Sequence, residues 1–148
     1  MLLDSIRDVE TGGANVSGDG GKAVGEMQLH AAACRDAGAR HAEAWQPERA
    51  REIAAVYVSW IRGELLARLH RGPSPAEIYA AYNIGLRGFA RRGFRLDRCP
   101  RVTRDRAAVV AAGVSRRMWA LDNAELDRRF NELVAEGERL RIRKGGAR

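Results

Sequence analysis

Three short stretches place polar side chains where a helical core has little use for them: Glu10-Thr11-Gly12-Gly13, Gly25-Glu26-Met27-Gln28 and Ala80-Ala81-Tyr82-Asn83-Ile84-Gly85. Glu10 comes directly after Val9, at the C-terminal end of an apolar helical run. Partial burial and the negative end of the helix dipole both favour its protonated form. A carboxyl group that keeps its proton near neutral pH is what donating to a leaving oxygen requires. Met27 can floor a cleft, and the Gln28 amide can both donate to and accept from a sugar or an amide. Tyr82 and Asn83 interrupt an alanine-rich stretch, cost helix propensity there, and need hydrogen-bond partners if buried. Asp19, in Ser17-Gly18-Asp19-Gly20-Gly21, is the candidate for a second acid in the loop between the first two stretches. Each residue also has a plain structural reading. Glu10 can be a solvated carboxylate, Met27 core, Gln28 exposed, Tyr82 a satisfied core tyrosine, Asn83 a residue before a glycine cap, and Asp19 a turn residue.

The elements that must hold these residues read as mostly helical. Leu2, Leu3, Ile6 and Val9 predict a helix over 2–11, ended by Gly12-Gly13. Residues 12–25 are glycine-rich and predict a surface loop or a small irregular β-hairpin. A second helix is expected over 26–37, stopped by Gly38. After Pro47, a rhythm of Ile53, Val56, Tyr57, Trp60, Ile61, Leu65 and Leu69 predicts a long third helix up to Gly72-Pro73. Ser74-Pro75-Ala76-Glu77 opens a fourth: Ser74 caps, Pro75 occupies a position that lacks an N–H partner in any case, and Glu77 closes the capping box. It runs to about Gly85 or Arg87. Gly88, Gly93 and Pro100 then punctuate an arginine-rich loop that Phe89, Phe94 and Leu96 can anchor. Thr103 is expected to cap a fifth helix carrying Val109, Val110, Val114 and Met118. Asp122 or Asn123 is expected to cap a sixth carrying Leu126, Phe130, Leu133 and Val134, followed by a frayed tail over 141–148. The sum is one mostly α domain over residues 1–148.

A chain of 148 residues, 45% hydrophobic and 30% charged, is of ordinary globular composition. At that length it buries roughly two-thirds of its unfolded surface and needs no metal or disulfide to fold. Cys34 and Cys99 are too few for a disulfide scaffold or a four-cysteine zinc site, and Cys34 reads as a small buried hydrophobe. His30, His41 and His70 show no metal-ligand pattern, and the glycines near Lys22 do not form a phosphate loop, so no metal or cofactor is expected. No apolar run reaches membrane-spanning length, and no basic, apolar export signal opens the sequence. Charge is uneven. Residues 1–86 carry 9 basic and 11 acidic groups, residues 87–148 carry 17 and 8, and the whole is +7. The segment Arg87–Arg106 holds 8 arginines against Asp97 and Asp105. It reads either as a solvated surface or as a face for a polyanion.

In their order the three stretches resemble the catalytic domain of the lytic transglycosylases, within the lysozyme-like superfamily that includes goose-type lysozyme. That family shows Glu-Ser at a helix end, then Gly-Leu-Met-Gln, then Ala-Tyr-Asn-x-Gly. This chain has Glu10-Thr11, Gly25-Glu26-Met27-Gln28 and Ala81-Tyr82-Asn83-Ile84-Gly85, with a long helix after Trp45-Gln46-Pro47-Glu48 where the family has one. The resemblance covers about residues 2–88. Thr11 keeps the hydroxyl of the family's serine, whereas Glu26 replaces an apolar residue. The resemblance implies a lysozyme-like fold with Glu10 as the catalytic acid and Thr11, Met27, Gln28, Tyr82 and Asn83 lining the glycan site. It implies peptidoglycan as partner and a monomeric, cofactor-free enzyme. Without an export signal the chain looks like a bacteriophage lysis or virion enzyme, made in the cytoplasm and reaching the periplasmic wall through a holin or in a particle.

The implied reaction needs one placed carboxyl. Glu10 protonates the oxygen between N-acetylmuramic acid and N-acetylglucosamine, then as a base takes the proton of the muramoyl C6 hydroxyl, closing a 1,6-anhydro ring. The substrate's 2-acetamido group stabilises the oxocarbenium charge. A hydrolase instead wants a second acid to place water, and Asp19 is the candidate. A rival of another class is a basic helical module binding nucleic acid through the arginines of 87–106, with salt-sensitive affinity. It offers no reason for Glu10-Thr11-Gly12-Gly13 or Tyr82-Asn83, so nucleic acid is not the expected partner.

Overall fold

The computed structural model describes residues 1–118 together with Arg128, Asn131, Glu132 and Ala135. The expected sixth helix, with its Asp122 or Asn123 cap and its Leu126, Phe130, Leu133 and Val134 stripe, lies outside these residues apart from those four, which are helical. The expected frayed tail lies outside them as well.

Among the described residues the chain forms six helices and one small antiparallel sheet of three strands. Helix α1, Leu2–Glu10, buries Leu3, Ser5 and Ile6. It ends where the amides of Thr11 and Gly12 donate to the carbonyls of Arg7 and Asp8, and Gly12 turns the chain away at φ +64°. The glycine-rich stretch then folds as the hairpin of β1, Ser17–Gly18, and β2, Ala23–Val24. Ser17 lies opposite Val24 and Gly18 opposite Ala23, and the strands are joined by a short 3₁₀ turn, Asp19–Gly21.

The helix expected over 26–37 forms only in its second half. Residues 26–28 are a turn, Leu29–His30 form β3 against Ala23–Val24, and only Ala31–Asp36 are helical (α2). Two local features account for this. Gly25 adopts φ +77° beneath the Ala44 carbonyl, and the Gln28 side-chain amide donates to the carbonyls of Val16 and Gly25, each at 2.9 Å. The segment is thereby tied back onto the hairpin before a helix can begin.

A 3₁₀ turn, His41–Trp45, leads into α3, Pro47–Leu69, which turns Ala50, Ile53, Ala54, Tyr57, Val58, Ile61 and Leu65 into the core. Val56 and Leu69 pack at its edge, while Trp60 is exposed and stacks on Tyr57. Helix α4, Pro75–Ile84, starts as expected: Ser74 Oγ accepts from the Glu77 amide at 3.2 Å and the Ser74 amide donates to Glu77 Oε2 at 2.8 Å. Its alanines let it run through the centre of the domain, where Tyr79, Ala80 and Ala81 are fully buried.

The expected arginine-rich loop contains a short helix, α5, Leu86–Ala90, and a 3₁₀ turn, Leu96–Arg98. Phe89 is buried and meets Phe94 edge-on at 5.6 Å, so the aromatics do anchor this segment. Helix α6 spans Arg101–Met118 and packs on both α1 and α4. Thr103 does not cap it. The helix starts two residues earlier, the Arg104 amide donates to the Pro100 carbonyl, and Thr103 is buried against α4. Gly113 permits close approach to α1, since a Cβ there would lie 2.8 Å from Ser5 Oγ. No helix among the described residues is long and apolar enough to cross a membrane. Cys34 and Cys99 are both free and buried.

Candidate active site

The end of α1, the small sheet, the end of α4 and the middle of α6 enclose an open cleft of about 350 Å³. Glu10 stands in its wall with its side chain only 7% exposed. The Tyr79 hydroxyl donates to Glu10 Oε1 at 2.8 Å, and Arg106 Nη1 donates to Oε2 at 3.3 Å. Both carboxyl oxygens are therefore held, one from α4 and one from α6, which fixes the direction in which the group faces. The solvated reading of Glu10 is excluded by this burial. Burial, and then the nearby Glu10 charge, raise the Tyr79 phenol above its ordinary range, so its proton stays on oxygen and the hydroxyl remains a donor.

Tyr82 lies one helical turn further along α4 and also borders the cleft. Its hydroxyl donates to the Met27 carbonyl at 2.6 Å, and its ring packs at 5.7 Å from that of Tyr57. Burial raises the Tyr82 phenol as well, so this bond too is a permanent donor contact. Its effect is to pin the turn at 26–28 against α4. Asn83 borders the cleft with its Oδ1 accepting from the Thr103 hydroxyl at 2.8 Å. That bond ties the amide oxygen to α6.

Gln28 lines the cleft, but its side-chain amide is already committed to the hairpin carbonyls, and its backbone adopts φ +47°. A Cβ at Gly18 would fall 2.0 Å from Gln28 Oε1, so the hairpin and the Gln28 amide are fitted to each other. Gln28 therefore braces the sheet as well as bordering the cleft.

Two of the expected site residues do not line the cleft. Met27 is fully buried in the core and reaches the site only through the carbonyl that holds Tyr82. Thr11 donates from its hydroxyl to the Glu26 carbonyl at 2.8 Å and accepts from the Gly13 amide at 3.1 Å. It joins the end of α1 to the turn at Glu26, which positions Glu10 without touching the cleft.

Asp19 does border the cleft, from the turn of the hairpin at φ +50°. His30 on β3 faces it, with 3.6 Å between Nε2 and Oδ2, and both side chains are about half exposed or more, at 48% and 63%. Three site residues were not singled out from the sequence: Tyr79, His30 and Arg106. Tyr79 carries a usable signal, because it precedes Tyr82 by three residues and so shares its helix face. Arg106 carries none, since it meets Glu10 only once α6 has packed across α1. Of its neighbours in the arginine-rich segment, Arg95 pairs with Asp97 at 2.7 Å and Arg101 with Asp105 at 3.6 Å, while Arg87, Arg91, Arg98 and Arg104 are exposed.

The arrangement offers a shielded carboxyl with two fixed donors, a second and solvated carboxylate across the cleft, and polar groups between them. Among the described residues no cluster of His, Cys, Asp or Glu is placed to hold a metal ion. Comparison with family models, with curated proteins and with solved structures found no match for this chain.

Proposed function

We propose that the chain is a peptidoglycan-cleaving enzyme of lysozyme-like fold, acting as a lytic transglycosylase with Glu10 as its general acid and base. The observation that carries this reading is the Glu10 carboxyl, 7% exposed in the wall of an open cleft and held at both oxygens. A proton donor to a glycosidic oxygen needs such a placement, shielded yet reachable from the cleft. Glu10 gives its proton to the oxygen leaving the muramoyl C1. The same carboxylate then accepts the proton of the C6 hydroxyl as that oxygen bonds to C1, so the proton count balances and no water is consumed. Asn83 and the cleft face of Tyr82 flank the sugar, while Thr11, Met27 and Gln28 hold the frame that keeps Glu10 and the sheet in place.

Hydrolysis is the second reading, and Asp19 in the same cleft favours it. There Asp19 places the water that takes the role of the C6 hydroxyl. Release of soluble fragments from purified peptidoglycan tests the activity. The parent chain is expected to release them and Glu10→Gln is expected not to, with both melting at similar temperatures. Equal release by both removes Glu10 from the chemistry.

A further inference from the structure

Arg106 is the one residue of permanent positive charge among the described residues that line the cleft. Its side chain is 40% exposed, against 7% for the Glu10 carboxyl it meets, and the contact is a single 3.3 Å approach of Nη1 to Oε2. A guanidinium has five N–H donors in a planar fork suited to gripping a carboxylate with two parallel bonds. The guanidinium also acts on the neighbouring Tyr79 phenol, yet with 40% of the side chain exposed in the cleft lining it has donors to spare for an anion. We propose that Arg106 is a specificity residue that binds a carboxylate carried by the glycan, releasing Glu10 from its ion pair in the same step.

The exchange is balanced in charge. While Glu10 is a carboxylate it neutralises Arg106. When Glu10 carries the proton it must deliver, that neutralisation is lost, and Arg106 is left as an uncompensated cation in a half-enclosed cleft. A substrate carboxylate restores the pair and, by two parallel bonds, improves on it. The other basic side chain in the cleft lining, His30, lies 3.6 Å from the Asp19 carboxylate. The ligand class is therefore a 2-acetamido glycan bearing a carboxylate, either on the lactyl ether or on an attached peptide. This rests on the proposed glycan substrate, and a binding measurement separates the two ideas.

The test uses the full chain carrying Glu10→Gln, so that no turnover interferes. Its affinity is measured for a peptide-free muramoyl tetrasaccharide, for the same glycan with stem peptides amide-linked to the lactyl groups, and for the neutral chitotetraose. The expected result is that at least one charged glycan binds about tenfold or more tightly than chitotetraose. Arg106→Gln should abolish that preference and leave chitotetraose affinity nearly unchanged, while Arg106→Lys keeps part of it. Preference for the peptide-free glycan assigns the lactyl carboxylate; preference only for the peptide-bearing one assigns the stem. Equal loss for charged and neutral glycans, or no loss, overturns the proposal. If Arg106→Gln does not fold, the Arg106→Lys comparison alone decides, because a charge preference unchanged by the loss of the planar fork also overturns it. A charge preference that depends on Arg106, in a chain whose parent cleaves no peptidoglycan, keeps the anion subsite and removes the proposed reaction.

Discussion

Tyr79→Phe and Tyr82→Phe each remove one hydroxyl from α4, and the structure assigns those hydroxyls different duties. Tyr79 donates to the Glu10 carboxyl at 2.8 Å, and Tyr82 to the Met27 carbonyl at 2.6 Å. A hydrogen bond to a charged group contributes roughly 1.5–3 kcal/mol, and leaving a buried acceptor unpaired costs roughly 1–3 kcal/mol. The two variants should therefore lose similar stability, about 2 kcal/mol each. For a domain of this size that corresponds to melting about 4–8 °C lower. Their activities should diverge. Loss of the Tyr79 hydroxyl frees one Glu10 oxygen and removes the shorter of the two contacts that orient the acid, and a placement penalty of ~1.4–2.8 kcal/mol appears as about 10–100-fold in rate. Loss of the Tyr82 hydroxyl loosens the turn at Met27 and leaves both Glu10 contacts intact, so its rate loss should be much the smaller. Thermal melting by circular dichroism and the rate of peptidoglycan solubilisation, read well below both melting points, supply the two numbers. A Tyr79→Phe chain with undiminished rate, or a Tyr82→Phe chain that loses the more, refutes the reasoning that Tyr79 orients the acid.

Gly25→Ala should cost more than about 2 kcal/mol, because a Cβ would sit 2.0 Å from the Ala44 carbonyl oxygen at a backbone φ of +77°; urea unfolding measures it, and a change within error contradicts the local geometry. The Arg71 guanidinium beside Glu77 and the Ser74 cap hold the Glu77 carboxyl below its ordinary value of 4.5. A depressed folded-state value adds stability above the unfolded value and loses it as pH falls, so the melting gap between parent and Glu77→Gln should shrink on acidification below about pH 4.5. Arg87, Arg91, Arg98 and Arg104 are exposed, so some salt-sensitive attraction to duplex DNA is expected, but under the enzyme reading it should be weak and vanish near physiological salt in a titration over a salt series. A tight complex persisting there favours a nucleic-acid role instead.

How far the sequence could be read depended on whether the deciding contacts were local. The start of α4 was legible because Ser74, Pro75 and Glu77 form a cap within four consecutive residues. The end of α1 and the length of α3 were legible because apolar spacing and glycine breaks are also local signals. After Gly25 only the second half of the expected helix forms. Its apolar residues suit a helix, but the Gln28 side chain bonds carbonyls on the hairpin and Leu29 pairs with Val24. Thr103 was misplaced for a similar reason, since its hydroxyl serves Asn83 twenty residues away. At the site, Glu10, Asp19, Gln28, Tyr82 and Asn83 do meet around one cleft, whereas Met27 and Thr11 serve it from behind. The two groups that hold Glu10 stand 69 and 96 residues from it in the chain, which no local pattern reaches.

In the proposed reaction Glu10 protonates the leaving glycosidic oxygen and is reprotonated by the muramoyl C6 hydroxyl. Mass spectrometry of the fragments released from purified peptidoglycan tests it most directly, comparing the parent with Glu10→Gln. Muramoyl ends one water lighter than their hydrated counterparts are expected, formed by the parent alone. Hydrated ends formed by the parent alone keep Glu10 as the acid and move the second step to water placed by Asp19. Fragments produced equally by Glu10→Gln, or none from either chain, contradict the account.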